Sequence, residues 1–569
     1  MLSSRFLSSA VAAIVALTAA GCSSTDGVDG LSGAASGGGA SGGSSVGAGG
    51  DGGYFDPGTS GACAEAIANK QSVGCDYYAT HMDSYAHADA CFAAFIANAG
   101  ETAAHIAVTF ENQELPIAEF ARIPTGSGPT LSYGPFDPDA GVPPGEVVIL
   151  FLSGLTGESG FGNSPCPVPS AVPSGTEPLD ELGQGRTGIG KSFHITSDTP
   201  VVAYQINPYG GGSAAVTGAS LLLPTSAWDT TYVAANAYGY ADYGGLPSMN
   251  IVAMADDTVV TLVPVADVEG GGGVPAGPAG VPLSFELQRG EQAQLSQYGE
   301  LTGSIVQASA PVGLMAGHQC MVIPTDATGP CDHGEQMLPP AHALGSEYVG
   351  VMYQPRTDEP AIWRVIGAVD GTELSWSSAV GGPASLARGQ AVELITAEPF
   401  VVHSQDDEHP FILFQHMSSN AWMPYGMLYV GDPDSVLGVP PAQYMREYVF
   451  FADPTYPTTN LVVVRAKQDG AFADVVLDCA GPLEGWQPVG DYEWTRTDLN
   501  DGLFGPVGAC DTGRHEITSD APFGLWVWGW GNPDTEDVPG GVKTISVSYG
   551  YPAGMNVESI NDVRVPVPK

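Results

Sequence analysis

Short stretches of alternating apolar and polar residues recur along the chain, and each contains a turn rich in serine, aspartate or proline. A period of two is typical of β-strands, and such turn residues separate one strand from the next. The pattern therefore predicts a recurring unit of strand, turn and strand. Its four copies are HITSDTPVVAYQIN (194–207), SIVQASAPVGLMAG (304–317), ELITAEPFVVHS (393–404) and HEITSDAPFGLWVWG (515–529).

A second recurring unit is predicted as a hairpin with an acidic turn. Its copies are NIVAMADDTVVTLVP (250–264), AIWRVIGAVDGTELSW (361–376), NLVVVRAKQDGAFADVVL (460–477) and the degenerate HIAVTFENQELPIAEF (105–120). The two units alternate, which gives about four double repeats. A linking motif has the same period: a proline is followed eight places later by a tyrosine and then by a strand, at 223–236, 338–352 and 439–453.

These units predict an all-β protein, because strands, glycine and proline dominate after the N-terminus. Two architectures fit. In one, each hairpin is the middle of a four-stranded blade, and about seven or eight blades close a β-propeller. In the alternative, each double repeat folds as a β-sandwich and several stand in a row. The even succession of hairpins and the late strand KTISVSYGYPAG (543–554), which would close a ring, favour the propeller.

The N-terminus has the pattern of a secretory signal. Arg5 precedes an apolar run at 11–20, which is far shorter than the ~20 residues of a membrane-spanning helix. The run ends in AAGC (19–22), which resembles a bacterial lipobox. Residues 1–21 are therefore predicted to be a lipoprotein signal peptide, with Cys22 as the lipidated residue; an ordinary signal peptide is the alternative.

Residues 22–61 are rich in glycine, serine and alanine, and they predict a flexible tether because they offer too little apolar surface to fold. Residues 62–569 are long enough to form several core-containing units and are predicted to be the folded ectodomain. The chain would thus be held to the cell envelope, at the outer membrane or cell surface, by lipid alone.

The chain is strongly acidic, with 62 Asp and Glu against 17 Lys and Arg and a formal net charge of −45. This charge repels nucleic acid and anionic lipid surfaces, so neither is expected as a partner. It is compatible with a solvated acidic surface, with cationic partners and with divalent cations.

One string resembles a nucleotide-binding motif. GRTGIGKS (185–192) fits the pattern G-x-x-x-x-G-K-[ST]. Its upstream flank is polar and rich in turns, and Pro200 follows too soon for a phosphate-binding helix. We therefore interpret the string as a glycine-rich loop that enters a strand, and we expect no nucleotide partner.

The chain has nine cysteines, and eight remain if Cys22 carries lipid. An even number suits disulfides in an oxidising compartment. Cys320 and Cys331 close a short loop, and Cys479 and Cys510 bracket one strand excursion, so these two bridges are predicted. The other four allow three pairings, of which Cys63–Cys75 with Cys91–Cys166 is favoured.

Several stretches resemble the N-terminal domain of the IgG-Fc-binding protein family and its bacterial relatives. The resemblance spans roughly 190–550. It implies an extracellular binding or adhesive module, a paired Cys320 and Cys331, and no catalytic residues; it leaves the ligand open. The stretches are ITSDTPVVAYQINP (195–208), ASLLLPTSAWDTTYV (219–233), GHQCMVIPTDATGPCDHGEQMLPP (317–340) and SYGYPAG (548–554).

Two candidate metal sites follow from residue types. His318, Cys320, Cys331 and His333 would suit tetrahedral zinc, but export favours oxidation of the thiols, so the disulfide is preferred. The run SQDDEHP (404–410) offers Asp406, Asp407 and Glu408 to Ca²⁺, although it lacks the spacing of an EF-hand. Calcium is therefore the one candidate cofactor.

The stretch GLWVWGWG (524–531) places Trp526, Trp528 and Trp530 on one face of a predicted strand. If exposed, they would form a platform for a glycan or a protein; if buried, they belong to the core, which is the favoured interpretation. A search for a nucleophile elbow finds Ser159 in GESGFG (157–162), without the required G-x-S-x-G spacing.

These observations predict an exported, lipid-anchored, non-catalytic protein of the cell surface that recognises a glycan or a protein ligand. The first alternative is a structural scaffold of the envelope without a discrete ligand site. The second is a secreted hydrolase on a propeller scaffold.

Overall fold

The computed structural model describes residues 61–85, 90–157, 164–178, 186–211, 216–241, 244–325, 330–420, 429–537 and 539–563. These residues all belong to one compact unit, Gly52–Lys569, whereas Met1–Asp51 is grouped separately. The predicted signal peptide, Cys22 and nearly all of the predicted tether lie outside the described residues.

The described part is almost entirely β-structure, as the sequence predicts. Its two α-helices are short, and neither has the length and apolar character needed to cross a bilayer. The helices are α1 (Gly61–Asn69) and α2 (Ile117–Phe120), and single 3₁₀ turns occur at Gly128–Thr130, Thr225–Ala227, Ala341–Ala343, Pro441–Gln443 and Pro533–Asp537.

The strands form four modules. The first contains β1 (Val73–Ala79), β2 (Phe92–Asn98), β3 (Ile106–Phe110), β4 (Gln113–Glu114), β5 (Ala121–Thr125), β6 (Ser132–Pro135), β7 (Val147–Ser153), β9 (Phe193–Asn207) and β10 (Gly218–Leu221). The second contains β8 (Gly188–Lys191), β11 (Asp229–Val233), β12 (Pro247–Ala253), β13 (Thr258–Val263), β14 (Leu283–Leu287), β15 (Glu291–Ser296), β16 (Ile305–Met321) and β17 (Asp332–Leu338).

The third module contains β18 (Glu347–Gly350), β19 (Ile362–Gly367), β20 (Thr372–Trp376), β21 (Ser385–Leu386), β22 (Ala391–Ile395), β23 (Phe400–Ser404), β24 (Phe411–Met417) and β25 (Asp434–Leu437). The fourth contains β26 (Met445–Ala452), β27 (Thr458–Arg465), β28 (Val475–Leu477), β29 (Gly481–Pro482), β30 (Gln487–Val489), β31 (Tyr492–Asp498), β32 (Gly513–Trp530) and β33 (Ser548–Pro552).

Three of the four modules are built on one long strand, as β16 of the second module shows. The first half of β16 pairs with β11 and β13, and its second half pairs with β12 and β17. The edge strands β14 and β15 extend the two halves. The long strands of the first and fourth modules are β9 and β32. In the third module, β23 and β24 take the place of the long strand. Three modules are therefore two antiparallel sheets that share one bent strand, and the third is two antiparallel sheets connected by the turn between β23 and β24.

A proline stands at the bend of every long strand. Because proline has no N–H to give to a sheet, regular pairing is interrupted there. The carbonyl of the following residue accepts a hydrogen bond from a tyrosine hydroxyl on β1, β11, β18 or β26, one in each module. The four pairs are Tyr77 with Val201 (2.7 Å), Tyr232 with Val312 (2.6 Å), Tyr348 with Phe411 (2.8 Å) and Tyr448 with Phe523. The recurring proline-to-tyrosine spacing in the sequence supplies three of these tyrosines.

The last strand of each module lies at the centre of the molecule. These inner strands are β10, β17, β25 and β33, and each packs beside two of the others, so that they form a ring. The Gln336 side chain of β17 connects them: its amide donates to the carbonyls of Ala219 (2.8 Å) and Gly550 (3.0 Å), and its oxygen accepts from the Leu437 N–H (3.4 Å).

The two ends of the described chain close the ring. The Ser72 N–H donates to the Met555 carbonyl at 2.9 Å, and the Val557 N–H donates to the Lys70 carbonyl at 2.7 Å. The first and fourth modules are therefore joined by backbone pairing.

The structure differs from the favoured β-propeller of about seven or eight blades. The unit predicted as strand, turn and strand is one bent strand in three modules, for example Phe193–Asn207. The predicted hairpins at 250–264, 361–376 and 460–477 are not paired hairpins, since β12 and β13, and likewise their counterparts, pair with opposite halves of the long strand. The modules match the double repeats of the sandwich alternative, but they surround a centre instead of standing in a row.

Candidate functional site

The connections that lead into the inner strands meet at one end of the ring. Asp332, the first residue of β17, accepts hydrogen bonds from the N–H groups of Thr217 and Ser548 (3.1 Å for Ser548), which stand at the starts of β10 and β33. The Asp432 N–H, just before β25, donates to the Ser548 hydroxyl at 2.8 Å. We name this end the loop face; the described residues of its connections are 208–211, 216–217, 322–325, 330–331, 418–420, 429–433, 531–537 and 539–547.

Four tyrosines are exposed in the described part of the chain: one lies in a connection of the loop face, and three lie in loops beside the end of β16, which adjoins that face. Tyr85 is 69% exposed, and its N–H donates to the Gln319 carbonyl beside the end of β16. Tyr429 accepts a backbone hydrogen bond from Ser546, in the connection that enters β33. Tyr240 and Tyr298 complete the set, and they lie in neighbouring loops of the second module.

Tyr240 and Tyr298 form a pair, with ring centroids 5.1 Å apart and ring planes at 78°. The loop that carries Tyr240 is fixed to the end of β16, because the Gly245 N–H donates to the Cys320 carbonyl at 2.9 Å. The Leu246 N–H also donates a 2.8 Å hydrogen bond to the side-chain oxygen of Gln319, which fixes the loop further. The two rings are therefore presented on a rigid support.

The segments next to this pair carry acidic residues. Gln297, next to Tyr298, donates to the Asp267 carbonyl (2.9 Å) and accepts from the Glu269 N–H (3.1 Å). Glu300 approaches Gly239 and pairs with the buried Arg364 at 2.5 Å. We name Tyr240, Tyr298, Asp267, Glu269 and Glu300 the tyrosine patch.

Beneath this patch, the residues considered for zinc have other roles. Cys320 and Cys331 form a disulfide. His318 Nδ1 accepts from the Cys320 N–H at 3.0 Å, so its Nε2 carries the proton that is donated to the Gly239 carbonyl at 3.2 Å. Burial lowers the pKa of His318 to about 3, which keeps the ring neutral. Both ring nitrogens are thus used in supporting the Tyr240 loop.

Under the loop face, Asp332, Asp432 and Asp434 form a buried acidic cluster at the starts of the inner strands. Burial raises the pKa of all three carboxyls. Repulsion from Asp432 and Asp434 raises that of Asp332 further, and repulsion from Glu335 raises that of Asp434. One oxygen each of Asp432 and Asp434 has no hydrogen-bond partner. The surroundings of these three carboxyl groups therefore favour their protonated form.

Among the described residues, one group of three acidic, histidine or cysteine side chains has ligand atoms within 4.8 Å of one another: Asp478, Cys479 and His515. The Cys479 sulfur is bonded to Cys510, so it offers no thiolate, and His515 Nδ1 contacts Asp478 at 3.0 Å. This group is therefore a disulfide beside a histidine–aspartate pair.

The calcium candidates lie in the turn between β23 and β24. Asp406 contacts His409 Nδ1 at 2.5 Å, and Asp407 accepts from the Ser346 hydroxyl at 2.6 Å. Glu408 is exposed in the same turn. Local donors thus engage both aspartates, and calcium binding here stays a prediction.

The three tryptophans of β32 are buried, with exposed fractions of 7% for Trp526, 0% for Trp528 and 5% for Trp530. Trp528 packs against Tyr353, with ring centroids 4.7 Å apart. They therefore belong to the core, and the alternative of an exposed platform for a ligand does not match the structure.

The described part contains four disulfides, in the pairs that the sequence favours. Cys63–Cys75 joins α1 to β1, and Cys91–Cys166 spans most of the first module. The other two bridges are Cys320–Cys331 and Cys479–Cys510.

The string that resembles a nucleotide-binding loop forms a strand. Gly188–Lys191 is β8, which pairs with β15, and Lys191 contacts Glu291 at 2.8 Å. Gly185 lies outside the described residues, as does Ser159.

One grouping of catalytic residue types occurs in the first module. His81 Nδ1 lies 3.1 Å from the Ser153 hydroxyl and 3.2 Å from a Glu177 oxygen. A catalytic triad needs the serine and the acid on opposite ring nitrogens, whereas here both face the same one. Ser153 and His81 are also buried.

Two cavities inside the described part each have a volume of about 10 Å³, which suffices for one water molecule. One is lined by Asp453, Tyr549 and Tyr551 and lies between the first and fourth modules. These two cavities are too small for an organic ligand.

Fold and site together define an all-β repeat protein, stabilised by disulfides, with an aromatic and acidic loop face. The chain belongs to the IgGFc binding protein family, whose model matches residues 218–529. The IgGFc-binding protein of Homo sapiens is 27% identical over 258 residues, which are 44% of this chain and 4% of the human protein. The chain thus matches a small part of that relative's length. No solved structure matches the chain.

Sequence reasoning missed the tyrosine patch. The run ANAYGYADYGG (235–245) was the available signal, since it is rich in tyrosine and lacks strand alternation. The partner ring of Tyr298 comes from a loop about 60 residues later in the chain, and its proximity depends on the pairing of β12 with β15.

Proposed function

We propose that this chain is an exported, lipid-anchored recognition protein that binds a protein ligand outside the cell through the loop face. The observation that carries the proposal is that the four exposed tyrosines of the described residues lie in the loop face or in loops beside it, at the end of β16. Tyrosine is enriched at recognition surfaces because its ring gives a large contact area at low entropic cost while the hydroxyl supplies a hydrogen bond.

The family supports a protein ligand over a glycan. The family model and the human relative are both named for binding IgGFc. Four disulfides suit an oxidising compartment, which agrees with export. The role proposed is binding without catalysis.

The N-terminal sequence supports the anchored location. Lipidation at Cys22 would attach the chain to the outer membrane or cell surface, and the tether at 22–61 would hold the modules away from it. The membrane would be contacted through lipid alone. Cys22→Ser is expected to release the chain from the membrane fraction, and an unchanged distribution would remove the anchor from the proposal.

Binding is tested with the full chain on an array of surface proteins, including IgG Fc, and glycans. The loop-face variant is Tyr85→Ser/Tyr298→Ser. Its control is Val259→Ser/Val476→Ser, which alters exposed apolar residues on β13 and β28, two strands that pair with the first half of a long strand. We expect saturable binding to a protein class, lost in the loop-face variant alone.

Other outcomes would replace the proposal. Saturable binding to glycans alone would make this a glycan receptor. Absence of any ligand, together with a stable co-complex after cross-linking of intact cells, would indicate an envelope scaffold. Turnover of an arrayed substrate would indicate a hydrolase.

A further inference from the structure

We propose that the tyrosine patch binds arginine side chains of a basic segment on the protein ligand. This inference rests on the proposed function and specifies the chemistry of the partner. It is carried by the geometry of the Tyr240–Tyr298 pair and by the charge of the segments around it.

The ring pair is suited to a cation. Tyr298 is 62% exposed and Tyr240 is 36% exposed, and the rings meet edge to face. An edge-to-face pair leaves one ring face open, and such a face attracts a guanidinium through the negative potential of its π-system. Arginine suits this contact better than lysine because its planar group stacks on aromatic rings and is weakly hydrated.

The surrounding charge favours the same ligand. The described segments that form the patch, 234–241, 244–246, 264–282 and 297–304, contain no lysine and no arginine. Asp267 and Glu269 are exposed beside Tyr298, while Glu300 is paired with Arg364. A guanidinium over the Tyr298 ring would therefore lie beside segments that carry two exposed carboxylates and no cation. One oxygen of Asp267 also accepts a 2.8 Å hydrogen bond from the Ala279 N–H.

The support beneath the patch limits the entropy lost on binding. The disulfide between Cys320 and Cys331, the His318 hydrogen bonds and the Gly245–Cys320 backbone bond hold the Tyr240 loop in place before any ligand arrives. Preorganised aromatic side chains bind more tightly because less freedom is lost on association.

The test measures binding of a fluorescein-labelled peptide of four Arg-Gly repeats to the full chain by anisotropy at physiological salt. Lys-Gly and Gln-Gly peptides of equal length are the comparison probes. We expect the order arginine, lysine, glutamine. Tyr298→Ala should weaken binding of the arginine peptide about fivefold, and Tyr298→Phe should restore it.

Two matched controls separate the patch from general attraction to an acidic protein. Val259→Ala truncates an exposed apolar side chain on β13 of the same module, outside the patch, and should leave the affinity unchanged. Asp267→Asn/Glu269→Gln should weaken binding more than Asp469→Asn/Asp474→Asn, which also removes two exposed charges. Equal effects of the two charge pairs, or unchanged binding in Tyr298→Ala, would overturn the proposal.

The array experiment distinguishes failure of the arginine-binding patch from failure of the proposed function. If a protein ligand binds and Tyr298→Ala does not affect it, the proposed function stands and the arginine-binding patch fails. If no ligand of any kind binds, both fail.

Discussion

The hydroxyl of Tyr348 donates a 2.8 Å hydrogen bond to the carbonyl of Phe411, the residue after the proline at the bend of the third module. The same hydroxyl accepts a 3.2 Å hydrogen bond from the Gly345 N–H. One side chain thus satisfies two buried backbone groups that lie more than 60 residues apart in sequence. Tyr232 and Tyr448 do the same at two other bends. At the remaining bend the Tyr77 hydroxyl contacts the carbonyls of Val201 and Ser72.

We therefore expect Tyr348→Phe to lower the free energy of unfolding by about 1–3 kcal/mol, because it leaves a buried donor and acceptor without a partner. Urea unfolding followed by tryptophan fluorescence measures the change. Tyr429→Phe removes an exposed hydroxyl and should change stability by less than about 0.5 kcal/mol. Equal midpoints for the two variants would contradict the role assigned to Tyr348.

The stability of the chain should depend on pH through Asp453, which lies buried between the first and fourth modules. Burial raises its pKa from 3.8 to about 6. Since the folded pKa exceeds the unfolded one, the stabilisation is complete below about pH 4 and is lost as the pH rises to 6. The difference in unfolding free energy between the natural chain and Asp453→Asn should fall by about 2.5 kcal/mol from pH 4 to pH 7. A constant difference would contradict the raised pKa.

The disulfides should contribute unequally to stability. Cys91–Cys166 closes a loop with a sequence separation of 75, whereas Cys63–Cys75 has a separation of 12. By loop-closure entropy, replacing the first pair with alanine should cost about 4.5 kcal/mol and replacing the second about 3 kcal/mol. Thermal unfolding of the two double variants tests this order, and a reversed order would show that local strain or packing dominates.

Trp528→Ala should unfold the fourth module instead of removing a ligand contact. The side chain has no exposed surface and packs on Tyr353, so its truncation is expected to cost about 3–5 kcal/mol. Near-ultraviolet circular dichroism and the melting temperature measure the loss. A stable variant that fails only in ligand binding would return this residue to a recognition role.

Calcium at Asp406, Asp407 and Glu408 is tested by the melting temperature in calcium and in chelator. If the ion binds, calcium should raise the melting temperature of the natural chain but not that of Asp406→Asn/Asp407→Asn/Glu408→Gln. A natural chain that is indifferent to both additions would remove calcium from consideration.

Local pattern was sufficient to predict the strands, the four-fold period and the disulfide framework, because each depends on neighbouring residues or on spacing. The proline-to-tyrosine spacing was visible as well, although its meaning was not. A hydroxyl bond to a carbonyl on a distant strand, such as Tyr232 to Val312, becomes evident only when the pairing is known.

Local pattern could not predict which strands pair with one another. The turn between β12 and β13 contains acidic residues typical of a hairpin, yet the two strands pair with different halves of β16. Alternation specifies which face of a strand is buried, and it does not specify which strand lies beside it. The tyrosine patch was missed for the same reason, since Tyr240 and Tyr298 meet through tertiary pairing.

The pairing of residues 70–72 with 555–557 has a consequence for the order of the modules along the chain. Because the two ends lie side by side, a short linker would join them, and the chain opened between Leu338 and Glu347 would keep the contacts between its modules. Such a circular permutant should fold to the same ring, with the third module now first. The contacts between modules specify the order of the modules around the ring, and they do not specify which module comes first in the chain.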